Sequence, residues 1–426
     1  MVDNNYIVKG GVMRKILHID LNNFYASVEC LHNPDLKNVP LAVCGSTELR
    51  HGIVLAKNNL AKSYGIKTGD VIWEAKNKCQ GLVTVLPDFS LYLRFSMLAR
   101  NIYEDYTDKI EPFGIDECWL DVTESEKLFG SAEEIAQQIR QRIKDELGLT
   151  VSIGVSFNKI YAKLGSDYKK PDAVTVINEQ NYKKIVYPLP VKQLLFVGRA
   201  TNNKLERIGI KTIGELADAP IELLKQKFGV VGEYLKNFAS GKDDKPVKNK
   251  SAVSIVKSVG NSITTTRDMV SFKDVEVVVN LLSDSVAGRL RDYNLKASTV
   301  SLYVKSSELS TKSYQCKMPY NCSSSEIQQF AMKLFRANYN PPFSFRSIGI
   351  KASGLKEFDE IYVQLDLFDV SRIQKQESLE KAMDKIRARF GYNSITKGIL
   401  KLDEELTEFS NPKEEHIIHP VSFLKG

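Results

Sequence analysis

Three acids, Asp20, Asp116 and Glu117, have the residue type and the setting to hold a hard cation. Asp116 and Glu117 are adjacent, follow a turn signal made by Pro112 and Gly114, and stand at the mouth of a largely apolar run over 118–122 that reads as a buried strand. A carboxylate at the end of a buried strand persists when it is paired, hydrogen-bonded or bound to a cation, because an uncompensated buried charge is costly. A second short strand over 15–20 also ends in an acid, Asp20, followed by a polar cap (Asn22, Asn23) and a helical stretch over 24–31. If the two strands are neighbours in one sheet, the three acids converge at its end. Three hard oxygen ligands with open positions suit Mg²⁺, which keeps waters and accepts substrate phosphates. An isolated Asp-Glu pair would more simply be a pair of solvated loop charges.

The elements that must position these acids read as alternating strands and helices. After the turn at Asn33-Pro34-Asp35 comes a strand over 39–44, and residues 53–70 then give a strand, a helix stopped by Gly65 and a basic turn. The chain returns through a helix over 91–106, the acid-bearing hairpin and an amphipathic helix over 132–147, where Ile135, Ile139 and Ile143 recur at helical spacing. A strand over 150–155 and a helix over 159–168 follow, ending at Lys169, Lys170 and Pro171. This order fits a split βαβ, ferredoxin-like sheet with a small insertion. Nucleotidyl cyclases share such a sheet, so the fold alone does not give a function. Residues 188–240 look like a helix-hairpin-helix unit, with Gly198, and Gly209 beside Lys211, at turns where backbone N–H groups can approach a phosphate without reading sequence. Residues 241–251 are polar and charged and read as a linker. Beyond them strands (254–259, 298–305) alternate with helices (275–290, 325–335), and Leu379, Met383, Ile386 and Phe390 fall in phase on a helix over 377–390.

A chain of 426 residues exceeds what one hydrophobic core usually serves, so several domains are expected. Hydrophobic residues at 43% and charged residues at 26% are ordinary for a soluble protein, and no apolar run approaches the roughly 20 residues that span a bilayer. No membrane association is expected, and an N-terminus without the apolar core of a signal peptide points to the cytoplasm. The six cysteines form no CxxC pair and read as free thiols. Net charge is +7, but residues 188–357 carry +11 and everything else −4. A basic middle is the electrostatic footprint of a phosphate-backbone binder.

The run Asp20-Leu21-Asn22-Asn23-Phe24-Tyr25-Ala26-Ser27-Val28-Glu29, with Gly114-Ile115-Asp116-Glu117 further on, resembles the two metal-binding motifs of the Y-family, or translesion, DNA polymerases (the impB/mucB/samB family). The resemblance covers roughly residues 13–370, with the motifs in the family's order, and Met13 resembles the usual start. It implies an α+β multidomain right-hand polymerase: a ferredoxin-like palm (1–34 and 89–187), small fingers (35–88), a helix-hairpin-helix thumb (188–240), a linker (241–252), an α/β little finger (253–357) and a tail (358–426). It also implies template-directed addition of a dNTP to a primer 3′-OH opposite damaged bases, with two Mg²⁺ ions (Mn²⁺ being an alternative). Asp20 and Asp116 would bridge the ions, and Glu117 and the carbonyl of Leu21 would each complete one.

By the same resemblance Phe24, Tyr25, Asn59, Lys62 and Lys170 bind the dNTP, with Tyr25 as the steric gate that leaves no room for a 2′-hydroxyl. Many members carry Tyr and Arg at the positions of Asn59 and Lys62, and this pairing looks closer to the polymerase V catalytic subunit. Lysine is a point charge there, whereas arginine grips phosphate bidentately. Gly198, Gly209, Lys211, Lys257 and Arg346 are implied in binding primer-template DNA, although Leu195 to Gly198 stand where members often have Trp-Gly-Ile-Gly. Gly114 replaces the family's usual Ser, a change expected to be tolerated. Gln364, Leu365, Leu367 and Phe368 resemble the peptide that bacterial polymerases insert into the sliding clamp, the β subunit. Ile361, Val363, Leu365 and Leu367 alternate with Tyr362, Gln364 and Asp366, which would also suit a half-buried closing strand. A monomer is expected. Two other readings are a cyclase built on the same palm, against which the basic thumb and little finger argue, and a catalytically inactive DNA- and clamp-binding scaffold, against which the intact acids argue.

Overall fold

The computed structural model describes residues 13–46, 50, 52–252, 255–358 and 369–407, without the side chains of 369–374. Residues 1–12, the clamp-like peptide (Gln364, Leu365, Leu367, Phe368) and everything past 407 lie outside the described residues. The chain forms two compact units, one holding residues up to Cys44 and Val54–Ala252, the other residues from 253 onward together with 45–53.

In the first unit, β1 (Ile16–Leu21) and α1 (Phe24–His32) lead into a detour through β2 (Leu41–Cys44), β3 (Val54–Lys57), α2 (Asn59–Ser63), α3 (Ile72–Lys78) and β4 (Val83–Val85). The chain returns through α4 (Phe89–Glu104), β5 (Ile110–Pro112), β6 (Glu117–Asp121), α5 (Glu126–Phe129), α6 (Ala132–Leu147), β7 (Val151–Ser156), α7 (Lys159–Tyr168) and β8 (Val174–Ile177). The detour closes a small sheet of its own in the order β3-β2-β4, and the other strands form a five-stranded sheet in the order β5-β6-β1-β7-β8. The central strand, β1, is buried along its whole length, as a strand covered on both faces must be. Leu17, Ile19 and Leu21 enter one core with Ala99 and Ile102 of α4 and Ile135, Ile139 and Ile143 of α6, while Ile16 enters a second with Ile160, Tyr161 and Leu164 of α7.

Helix α6 has the bounds expected from its apolar stripe, because both ends are specified locally. Ser131 and Glu134 make a reciprocal capping box, and Gly148 ends the helix at φ 66°. Full burial of each of its three isoleucines contributes about 1.5–3 kcal/mol. On the other side of the sheet α7 lies directly on β7. A Cβ at Gly154 would sit 1.8 Å from the carbonyl oxygen of Ala162, and one at Gly165 would sit 3.0 Å from the Cα of Gly154, so backbone rests on backbone.

Five further helices follow: α8 (Tyr182–Val186), α9 (Arg199–Arg207), α10 (Ile213–Asp218), α11 (Ile221–Phe228) and α12 (Val230–Ala239). They pack around Leu205, Leu216, Leu224 and Leu235 in the same core as Trp119 and Tyr161. The segment expected to be a free linker is fastened to this unit. Val247 is buried, the backbone of Lys248 donates to Glu111 (3.0 Å), and the side chains of Asn249 and Lys250 reach Asp108 (2.5 Å) and Glu104 (2.8 Å). Its polar composition serves surface hydrogen bonds, and the one apolar anchor is too short a signal to read from sequence.

The second unit runs β9 (Ser258–Met269), α13 (Phe272–Asp292), β10 (Leu295–Ser306), β11 (Thr311–Asn321), α14 (Ser324–Asn338) and β12 (Phe345–Glu357), with an antiparallel sheet in the order β11-β10-β12-β9. Strand β9 starts later and runs longer than expected, and β11 is an addition. As an edge strand with mostly exposed side chains and Pro319, β11 carries little apolar periodicity. Helix α15 (Asp369–Phe390) is longer than expected, and it turns the other way: Leu379 and Phe390 of the apolar stripe are 55% and 65% exposed, while Glu380 is buried. Arg291 sets this rotation by pairing with Glu380 and with Asp384 (2.6 Å), aided by Arg387 on Asp284 (3.2 Å). A short helix α16 (Glu404–Thr407) ends the described chain. All six cysteines are free, as expected.

The turn joining β10 to β11 places Leu309 at φ 66° with its side chain 57% exposed, so the residue bears a left-handed backbone without packing in return. Leu309→Gly is expected to raise stability by on the order of 0.5–1 kcal/mol after the entropic cost of glycine, read as a higher urea midpoint at constant slope.

Candidate active site

The register of β1 against β6 sets Asp20 directly opposite Glu117, which puts two like charges on one face at the end of a buried strand pair. The backbone N–H of Leu21 donates to the carbonyl of Asp116 (3.1 Å) and ties the third acid to the same edge. Helix α4 holds the turn from below: Arg100 donates to the carbonyl of Gly114 (3.0 Å) and the Ser96 hydroxyl to that of Ile115. Gly114 has φ 117°, a region L side chains rarely adopt. The change from the family's Ser is therefore accommodated by a backbone that glycine suits, and Ser itself would be the strained residue in this turn.

Burial pushes the Asp20 carboxyl up to about 6, with the Lys170 ammonium pulling the other way and Glu117 adding to the rise. Burial likewise pushes Asp116 up to about 6, helped by the charges of Asp20 and Glu117. Among the described residues no three His, Cys, Asp or Glu side chains stand as a finished metal cage. The donor set nevertheless fits a divalent cation, because three carboxylates meet at one sheet end and the charge of two is held back by burial and by their neighbours.

Lysines meet these acids. The Lys170 ammonium lies 2.6 Å from Asp20 Oδ2, and that of Lys163 lies 2.7 and 2.9 Å from the two oxygens of Glu117. Lys163 also stands over the ring of Phe113 at 5.6 Å. Asp167 joins the pair, with Oδ1 2.8 Å from Lys170 and Oδ2 3.9 Å from Lys163. Burial works against the charged form of Asp167, but the two lysines more than offset it and hold its carboxyl low. Sequence reasoning missed Lys163 and Asp167; their signal was the four-residue spacing that puts both on one face of α7. Beneath them the buried His18 has Nδ1 2.8 Å from the Ser166 hydroxyl. That hydroxyl donates to the carbonyl of Lys163 and so accepts from His18 Nδ1–H. Burial and the Lys163 charge keep the ring neutral.

Beside the acids Tyr25 stacks on Tyr92 (centroids 4.3 Å, 9° between planes) and meets Phe89 edge-on (6.0 Å, 84°). The Tyr92 hydroxyl donates to Glu29 (2.5 Å). Burial, and then the Asp116 charge, raise the Tyr25 phenol above its usual range. Phe24 is placed otherwise: its ring is buried in the core, so only its backbone is left to face a nucleotide. Asn23, in left-handed backbone at φ 49°, donates to the side chain of Asn59 (3.0 Å) and links α1 to α2. Lys62 is on the exposed side of α2; burial, and then the Lys62 charge, lower the pKa of Lys57. The Asn22 side chain donates to Ser152 (2.9 Å) and accepts from the backbone of Asp172 (2.8 Å), which fixes the turn carrying Lys170.

The residues expected at DNA are dispersed. Gly198 caps α9, and a Cβ there would meet nothing within 4 Å. Two residues earlier Phe196, where members often have Gly, takes φ 70°. Gly209 turns the chain between α9 and α10 at φ 84°, next to the exposed Lys211. In the second unit Lys257 is exposed ahead of β9 and Arg346 is half-buried at the start of β12, donating to the carbonyl of Arg50 (3.4 Å). The β9–β12 register sets those two roughly 25 Å apart along the strands, so the structure does not bring them together. On the sheet face turned away from the buried Val300, Leu302, Ile348 and Ile350, the paired stretches 299–305, 311–317, 347–353 and 258–264 place Lys305, Lys317 and Lys351 among Ser and Thr, with no acid.

The impB/mucB/samB family matches residues 19–167, its C-terminal domain matches 256–367, and a DNA polymerase-iota thumb domain matches 193–243. The chain is 51% identical over 396 residues to a DNA polymerase IV of Acetivibrio thermocellus, covering 92% of this chain and 99% of that one. It is 36% identical to DNA polymerase IV 1 of Bacillus subtilis, covering 93% and 96%. A solved Y-family DNA polymerase chimera, Dbh-Dpo4-Dbh, superposes with a TM-score of 0.70 at 26% identity, covering 80% of this chain and 99% of that one. Two family models and full-length relatives agree with the acid-bearing sheet and the helical unit that follows it, and the chain belongs to the impB/mucB/samB family of Y-family DNA polymerases.

Proposed function

We propose that this chain is a template-directed DNA polymerase that adds dNTPs to a primer 3′-OH opposite damaged bases, with two divalent ions, Mg²⁺ in the first place, held by Asp20, Asp116, Glu117 and the carbonyl of Leu21. The observation that carries this reading is the opposed register of Asp20 and Glu117 with Asp116 tied alongside. When bound, the ions lower the pKa of the 3′-OH and take up charge developing on the phosphates. The chain's own residues bind and orient. Lys170 and Lys62 offer ammonium groups to the triphosphate, Asn59 is steadied by Asn23, and Tyr25 is held under the sugar by Tyr92 and Phe89. The palm comprises 1–34 and 89–187, the fingers 35–88, the thumb 188–240 and the little finger 253–357. Gly198, Gly209 and Lys211 in the thumb, with Lys257, Arg346 and the lysine face of the little finger, grip the phosphate backbone of primer-template without reading bases. The peptide with Gln364, Leu365, Leu367 and Phe368 tethers a monomeric, cytoplasmic enzyme to the sliding clamp. A cyclase would have no use for the thumb and little finger.

Asp116→Asn is expected to lower incorporation on the order of a thousandfold or more in a primer-extension assay, with DNA affinity within a few-fold. Unchanged extension would remove the metal assignment. The same variant should be more stable than the parent in EDTA. A carboxyl raised to about 6 binds protons in the native state that the unfolded chain releases between about pH 4 and 6, so metal-free stability rises as pH falls through that window. Replacing the acid should add on the order of 1 kcal/mol at pH 7.5, seen as about 2–4 °C in melting temperature, and flatten that slope.

Tyr25→Ala should raise ribonucleotide use relative to dNTP use, and equal discrimination by variant and parent would refute the gate. The pair Leu367→Ala with Phe368→Ala should abolish clamp-stimulated extension and leave clamp-free extension intact, since tethering acts on local concentration. Loss of both, with a lower melting temperature, would make the segment part of the fold.

A further inference from the structure

Five side chains at the acid site form a closed ring of charges. Asp20 opposes Glu117 across the strands, Glu117 pairs with Lys163 (2.7 Å), Lys163 with Asp167 (3.9 Å), Asp167 with Lys170 (2.8 Å), and Lys170 with Asp20 (2.6 Å). The ring holds two ammonium groups, those of Lys163 and Lys170. They neutralise the acids that the proposed reading assigns to metal. Asp167 differs from the other two acids. It lies on α7 with Lys163, three residues before Lys170 on the turn that follows, turns one carboxylate oxygen toward each lysine, and is half-exposed at the rim. Spacings of four residues on α7 and three residues into the turn after it make its contacts with the lysines local, whereas the acids of β1 and β6 reach them from other elements.

A divalent ion and an ammonium compete for the same carboxylate oxygens. When the ion takes Asp20, Lys170 loses that partner and keeps Asp167; when it takes Glu117, Lys163 is left with Asp167 and the ring of Phe113. We propose that Asp167 is a positioning residue for nucleotide binding: it retains Lys170 and Lys163 at the rim as the acids change partner, so that the Lys170 ammonium is delivered to the nucleotide's phosphates instead of staying on Asp20 or dispersing into solvent. This rests on the polymerase reading, in which Lys170 meets phosphate, and extends it to an acid that binds neither metal nor nucleotide. Removing the Asp167 charge leaves Lys170 with Asp20 as its one anion. The lysine then competes harder with the metal and is less available to the phosphates, so both losses fall on binding and little on the chemical step.

The test is a double-mutant cycle of Asp167→Asn and Lys170→Ala, with Asp167→Glu as the conservative variant. Two quantities are read: equilibrium binding of the next correct dNTP to the enzyme–DNA complex in Ca²⁺, and primer-extension kinetics over a Mg²⁺ titration. Asp167→Asn should weaken dNTP binding about fivefold, the scale of a half-exposed ion pair, raise KM and the half-saturating Mg²⁺ by similar factors, and leave kcat within about twofold. Asp167→Glu should restore most of the binding. In the Lys170→Ala background Asp167→Asn should add nothing, since the acid acts through the lysine. Additive losses, or unchanged dNTP binding with a lowered melting temperature, would overturn the proposal and make Asp167 a structural residue. A parent enzyme that bound dNTP but extended no primer would overturn the polymerase reading, while the binding cycle would still decide the role of Asp167.

Discussion

Two carboxylates of like charge face each other across the last rung of β1 and β6, and much of the first unit exists to hold them in an arrangement they would not choose. Burial of β1 on both faces removes the solvent that would screen them, and raises Asp20 and Asp116 to about 6. Each device nearby answers that cost. Ammonium groups come from α7 and the turn after it, Arg100 and Ser96 clamp the hairpin, and Asn22 fixes the turn that carries Lys170. A site built this way is unstable on its own account and stabilised by whatever positive charge enters it, which is how a fold keeps an affinity for cations without a rigid cage.

The proposed selectivity for the sugar rests on a different principle. In that proposal Tyr25 acts through shape, and shape requires immobility. The parallel stack on Tyr92, the edge contact with Phe89 and the Tyr92–Glu29 hydrogen bond together deny the ring alternative positions. The left-handed Asn23 that opens α1 also reaches Asn59, so the proposed gate and the helix proposed to face the triphosphate share one anchor. Conformational strain concentrated at such a residue is characteristic of sites where position matters more than stability.

What could be read from the residues alone was whatever has a short-range signature. A strand ending in an acid and the apolar stripe of α6 act over a few residues, and both are where they were expected. What escaped was decided by tertiary neighbours. Strand β11 is an edge strand without an apolar face, α15 is turned by Arg291 against the phase of its own leucines, and the 241–251 segment is held by acids more than a hundred residues earlier. Lys163 and Asp167 were invisible for a related reason. On a helix they read as an ordinary surface pair, and they gain significance only because α7 lies over the acids of β1 and β6.

The contact of Gly154 with Ala162 and Gly165 fixes the separation between α7 and the sheet with main-chain atoms alone. A joint made of side chains has rotamers to exchange and methyl groups to shift, and so has slack; a joint of bare backbone has almost none. The long, pliant Lys163 of α7 is therefore mounted on the least compliant part of this sheet, and the turn bearing Lys170 leaves from the end of the same helix. Freedom of movement at the acids is confined to the tips of the side chains, while their points of attachment behave as fixed posts. An enzyme that must accept misshapen template bases thus keeps its tolerance away from the place where bonds are made.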